Sequence, residues 1–291
     1  RRRAVRHHAR LTSDGHHNDI TELNRDEEDT PAMPTETTID VGDVPVSVVR
    51  GGSGGPLLVL HDELGFPGWM TWNERLGSSF ELIAPLQPAY GRTPKVDWIM
   101  NYRDLGGFYA RMAREQGWGQ IPVIGFSAGA YIAAEMAVSC PEMFSKMVLV
   151  GPLGLRPTEG EIFDFLAVTI RTHVAATVSK VDAPEFGQIY GGDMTPEQFE
   201  LFEDARAETA RLGWEPFMFN PSLGHLLEGI GDLPTLLVWG TDDLVAPRGC
   251  VEAYAAHVPN HRIVEIAGAG HRPEIEDPDA FTSAVTEFLG V

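Results

Sequence analysis

The chain has 291 residues, 43% hydrophobic and 22% charged, which is enough apolar material for one core with an insertion. Its formal net charge of -20 argues against a nucleic acid partner, because a polyanion would be repelled rather than steered in. No apolar run reaches the roughly 18 residues a membrane span needs, and the two cysteines, Cys140 and Cys250, lie far apart, as in proteins of reducing compartments. The basic start, Arg1 to Arg3, is followed by polar rather than apolar residues, unlike an export signal. A cytoplasmic protein acting on a small molecule is expected; a homodimer is one assembly this reading leaves open.

Residues 1–36 are polar and mixed in charge, without a hydrophobic period, and read as a disordered tail. The pairs His7-His8 and His16-His17 lie in this stretch, where nothing fixes a metal geometry. Order is expected from Thr37, where two alternating segments flank the turn Gly42-Asp43 and predict an antiparallel hairpin. Short apolar runs then follow at Leu57–Leu60, Phe80–Ala84, Pro122–Gly125, Met147–Val150, Thr235–Trp239 and Arg262–Ile266. Lacking strict alternation, they predict strands buried on both faces of a parallel sheet.

Helices are predicted between them, over Tyr102–Gly117, Ala128–Val138, Arg248–His257 and Asp279–Leu289, from apolar spacings of three and four. The class is therefore α/β, with helices on both faces of the sheet. The alternation breaks between residues 152 and 231. Two long amphipathic helices are predicted there, Glu161–Val178 and Thr195–Leu212, forming a helical cap; residues 37–151 and 232–291 make the core. No internal repeat is seen.

Gly125-Phe126-Ser127-Ala128-Gly129 joins a predicted strand to a predicted helix in the pattern G-x-S-x-G. Such a turn lifts its serine clear of the sheet and needs small residues on either side so that helix and strand can approach. A serine hydroxyl is a weak nucleophile without a base. His271, in the Gly-rich loop after the last strand, is the best placed of the histidines; His225, His257 and His261 read as packing or surface residues. An imidazole base needs a carboxylate to hold its tautomer, and Asp242 and Asp243 both follow a strand directly. Ser, acid and His occur in the order this kind of sheet employs.

With these motifs in place, the sequence from Thr37 to Val291 resembles the α/β-hydrolase superfamily: the loop His61-Asp62-Glu63-Leu64-Gly65, the loop Tyr90-Gly91-Arg92-Thr93, the Ser127 turn, the Gly240 loop and Gly270-His271 appear in order. The resemblance implies a mostly parallel eight-stranded sheet and selects Asp243, three residues after Gly240, as the acid. It implies Ser127 as nucleophile and His271 as base. Two backbone amides are needed for an oxyanion, those of Ala128 and Glu63. Relatives commonly carry His-Gly where this chain has His61-Asp62, and the Glu63 side chain is expected to be solvated or bonded to its own loop. Candidate pocket residues are Asp62, Leu64, Phe126, Phe163, Trp214, Phe217 and Phe219. No metal-ligand spacing, dinucleotide loop or phosphate loop occurs, so no cofactor is expected.

The function this predicts is hydrolysis of a small, largely apolar carboxylic ester through an acyl-serine intermediate. The same three residues would also serve a C–C bond hydrolase, lactonase or amidase. A non-catalytic ligand-binding member of the fold is the remaining alternative.

Overall fold

A computed structural model describes residues 34–183, 185–187 and 195–291; the tail expected over residues 1–36 lies almost wholly outside them. The first strand, β1 (Thr35–Val41), begins two residues ahead of the expected start and pairs antiparallel with β2 (Val44–Gly52) across Gly42-Asp43. The apolar runs then form β3 (Gly55–Leu60), β4 (Phe80–Pro85), β5 (Ile121–Phe126), β6 (Phe144–Val150), β7 (Thr235–Gly240) and β8 (His261–Ile266). They make an eight-stranded sheet in the order β1-β2-β4-β3-β5-β6-β7-β8, parallel from β4 onward. This is the α/β-hydrolase fold.

Each central strand supplies side chains to two cores because successive residues point to opposite faces. Leu58, Leu60, Val123, Met147, Leu149 and Leu237 pack on one side, and Leu57, Val59, Ile124, Val148, Leu236 and Val238 on the other. The helices α2 (Tyr102–Glu115), α3 (Ala128–Ser139), α6 (Leu223–Leu227) and α7 (Arg248–His257) cover the first face. The second is covered by α1 (Thr71–Gly77) and α9 (Pro278–Leu289), with the short α8 (Pro273–Glu276) before it. Strand β8 corrects the expectation of burial on both faces: it is the sheet edge, and most of its side chains are exposed.

The segment between β6 and β7 departs from expectation in one place. Instead of one helix over Glu161–Val178, only α4 (Ile170–Ala176) is helical, capped by Thr169. Residues 161–169 run as irregular chain, and Asp164 turns its carboxylate back onto the amides of Leu166 and Ala167. A short acidic side chain that satisfies nearby backbone donors favours a turn over a helix interior. Helix α5 (Pro196–Gly213) agrees with expectation, opening on Thr195 in a capping box with Gln198. Both cysteines are free and buried. Among the described residues, no helix is long and apolar enough to cross a membrane.

Candidate active site

Ser127 stands between β5 and α3 at φ 50°, a left-handed conformation that costs a non-glycine residue roughly 1–3 kcal/mol. The turn is held by the Ser127 amide donating to the Val150 carbonyl at 2.8 Å. The flanking glycines are required by contact. A Cβ at Gly125 would meet the Gly129 carbonyl oxygen at 2.4 Å, and one at Gly129 would meet the Leu60 carbonyl oxygen at 2.1 Å. The side chain of Ser127 is buried, and its Oγ makes no hydrogen bond of full geometry.

His271 and Asp243, from the loops after β8 and β7, are brought together. Nδ1 of His271 lies 2.8 Å from Asp243 Oδ2, and both side chains are buried. The other carboxylate oxygen, Oδ1, accepts from the amides of Val245 and Ala246 at 2.8 and 2.9 Å. The Asp242 side chain faces solvent and, among the described residues, bonds the Thr241 hydroxyl, so the geometry separates the two adjacent aspartates. Nε2 of His271 is buried without a hydrogen-bond partner among the described residues. Burial works to lower the imidazole's pKa, but the charge and hydrogen bond of Asp243, with the charge of Glu63, outweigh it and leave it raised above the ordinary 6.5.

The floor beneath this pair is Gly151, at the end of β6, which sequence reasoning passed over. Its φ is +50°, and a Cβ there would stand 2.8 Å from both Cε1 and Nδ1 of His271. A glycine directly after a strand of the sheet was the available signal, but nothing in the sequence says which side chain it makes room for.

The loop after β3 corrects one expectation, that for the Glu63 side chain. Asp62 does not occupy the left-handed region. Instead its Oδ1 accepts from the Leu64 amide at 2.8 Å and its Oδ2 pairs with Arg272 at 2.6 Å. Burial raises the Asp62 carboxyl, against the opposing pull of Arg272. The carbonyl of Asp62 accepts from the Gly65 amide. The amides of Leu64 and Gly65 are thus both engaged. Those of Glu63 and Ala128, the two expected oxyanion donors, have no partner among the described residues.

Glu63 is not solvated as expected but fully buried, with Oε1 3.1 Å from Nε2 of His173 on α4. The ring of His173 in turn stacks on Phe165, 4.5 Å between centroids and 11° from parallel. Burial works to raise the Glu63 carboxyl. The hydrogen bond and charge of His173, then His271 and the Ser127 hydroxyl, overcome it and hold it well below the usual carboxylate range. Neither His173 nor Arg272 was singled out from the sequence, because a lone histidine and a lone arginine carry no local pattern. Tyr90 fastens the same loop, its hydroxyl 3.0 Å from the Glu63 carbonyl and 3.1 Å from the Thr209 hydroxyl of α5. His61, with Nε2 accepting from the Gln87 amide at 3.0 Å, is pushed down to about 4 by burial and is a neutral strut of the loop.

The expected pocket residues divide. Leu64 lines a cleft of about 280 Å³ between this loop, Tyr90 and α5. Phe126 points into the second core against Trp72 and Phe281. Phe217 packs 5.4 Å from Phe165, and both Phe217 and Phe219 border an open cleft of about 690 Å³ on the inserted segment. Phe163 packs against the first core, while Trp214 is 61% exposed at the end of α5 and is not brought to the site.

The alpha/beta hydrolase family model matches residues 57–284. A pimeloyl-[acyl-carrier protein] methyl ester esterase of Aeromonas hydrophila is 26% identical over 84% of this chain and 99% of its own. A 2-hydroxy-6-oxononadienedioate/2-hydroxy-6-oxononatrienedioate hydrolase of Burkholderia vietnamiensis is 26% identical over 80% of this chain and 86% of its own. Among solved structures, a 2-hydroxy-6-oxo-6-phenylhexa-2,4-dienoate hydrolase from Rhodococcus sp. strain RHA1 superposes with a TM-score of 0.71 at 19% identity, covering 90% of this chain and all of its own.

Proposed function

This chain belongs to the α/β-hydrolase family, and from that premise we propose that it is a serine hydrolase of carboxylic esters working through an acyl-Ser127 intermediate. The observation that carries the reading is the buried His271–Asp243 pair at 2.8 Å, with Nε2 of His271 making no hydrogen bond among the described residues, in a chain whose Ser127 is held in a left-handed turn. Nε2 takes the Ser127 proton as Oγ attacks the ester carbonyl, and Asp243 keeps Nδ1 protonated and stabilises the imidazolium. The oxyanion is received by the amides of Ala128, at the N-terminus of α3, and Glu63. Collapse expels the alcohol, which takes its proton from His271. Water, deprotonated by the same imidazole, then cleaves the acyl-enzyme.

In this reading the segment from 152 to 231 serves as a cap, since α4 and α5 reach the loop after β3 through His173 on the Glu63 carboxylate and Thr209 on the Glu63 carbonyl. A second reading, cleavage of a C–C bond, is favoured by the likeness to the dienedioate hydrolase of Burkholderia vietnamiensis. The deciding experiment follows turnover of p-nitrophenyl butyrate beside a ring-fission dienoate, with wild type and Ser127→Ala. Ester turnover that vanishes in Ser127→Ala supports the proposal. Faster cleavage of the dienoate would favour the second reading, and two inert proteins with no labelling of Ser127 by a fluorophosphonate would overturn both.

A further inference from the structure

Among the carboxylates that meet the loops carrying Ser127 and His271, Asp243 and Asp62 are saturated. Asp243 spends one oxygen on two amides and the other on His271. Asp62 spends one on the Leu64 amide and the other on Arg272. Glu63 differs from these two: Oε1 receives Nε2–H of His173, but Oε2 is fully buried and makes no hydrogen bond of full geometry among the described residues, a state that Glu274 Oε2 shares farther along the His271 loop. The Ser127 hydroxyl and His271 are near enough to help keep this carboxylate ionised. A buried ionised acceptor left open is costly, and a negative charge beside a developing oxyanion opposes the transition state. Both costs are relieved at once if the substrate itself brings a donor carrying positive charge.

We propose that Glu63 Oε2 is a recognition site for a nitrogen-borne hydrogen-bond donor, an ammonium group above all, placed on the substrate close to its scissile carbonyl. The inference rests on the ester-hydrolase reading above and names its substrate class: amino-substituted carboxylic esters rather than neutral or anionic ones. Anionic acyl groups are rejected, because a second carboxylate would meet Glu63 in a water-poor site. His173 is a positioning residue. It holds Oε1 from the α4 side, and its ring is fixed by stacking on Phe165.

The test compares p-nitrophenyl esters of propanoate, 3-methoxypropanoate and 3-aminopropanoate near pH 7, each kcat/KM divided by that ester's uncatalysed rate. The wild type is expected to favour the amino ester over the methoxy ester by roughly 10-fold or more, as a charge-assisted hydrogen bond implies. In Glu63→Gln the preference shrinks to within about 3-fold. Its kcat/KM pH profile also gains an acid limb at lower pH, because Glu63 is one of the charges that raise His271. Equal normalised rates for the amino and methoxy esters in the wild type would overturn the proposal, and that measurement needs no variant to fold. A preference that survives in a folded Glu63→Gln would overturn it as well. If Ser127→Ala hydrolysed all three esters like the wild type, the ester-hydrolase reading itself would fail, a result distinct from either.

Discussion

Gly151 leaves the space that the His271 imidazole occupies: a methyl group added to its Cα would lie 2.8 Å from Nδ1 and 3.4 Å from Oδ2 of Asp243. Both the ring and its carboxylate partner are buried, so neither can swing into solvent to make room. Gly151→Ala is expected to displace the pair and lower kcat/KM toward p-nitrophenyl butyrate by about 100-fold, as misplacement of a catalytic group by an ångström typically does. The positive φ of +50° adds a stability cost of roughly 1 kcal/mol for a residue with a Cβ. Thermal unfolding measured alongside kinetics separates the two effects, and an alanine variant with wild-type kcat/KM would show that the site tolerates the shift.

The adjacent aspartates give a sharper comparison. Asp243→Asn keeps the size of the side chain and an oxygen for the Val245 and Ala246 amides, yet it removes the charge facing His271. A loss in kcat on the order of 10³–10⁴ is expected, as for a base stripped of its orienting carboxylate. Asp242→Asn, at an exposed position, should stay within about 2-fold of wild type. Equal losses at both positions would contradict the assignment.

The pH profile follows from the charges around His271. Asp243 and Glu63 raise its pKa, Arg272 opposes them, and the net direction is upward from 6.5. With the neutral imidazole as the proposed base, kcat/KM is expected to rise with pH along an acid limb whose midpoint lies above 6.5. Asp243→Asn, in whatever activity remains, moves that limb downward. A wild-type midpoint below the ordinary value would mean that desolvation, not Asp243, dominates.

Glu274, buried beside Arg272, predicts a pH dependence of stability rather than of rate. Burial pushes its carboxyl up to about 7 from the ordinary 4.5, despite Arg272. Across that window the folded protein keeps a proton that the unfolded chain releases, so this group lowers stability as pH rises through it. The loss amounts to roughly 3 kcal/mol once the pH has passed the folded value. Glu274→Gln should therefore melt several degrees higher than wild type near pH 8 and close to it near pH 4.5. Equal differences at both pH values would assign the effect to packing instead.

The legible parts of this protein were those with local causes. The strands between Leu57 and Trp239 show as short apolar runs because each is buried on both faces, and the Ser127 turn shows because its glycines answer to clashes with chain a few residues away or one strand over. The order of Ser127, Asp243 and His271 follows from topology, since each ends a strand of one parallel sheet. The helix expected over residues 161–178 failed because apolar spacing does not register a side chain that bonds its own backbone, as Asp164 does.

What only the tertiary structure decided is how charges are shared out around the serine. Asp62 and Glu63 are neighbours of the same chemical kind, and no local pattern distinguishes them. Folding sends Asp62 to Arg272 and Glu63 to His173, partners more than a hundred residues away. The sheet and the Ser127 turn are set by short-range sterics and hydrophobic period. The electrostatics of the site are set by which distant side chains the fold buries together, because a buried charge is defined by its partners.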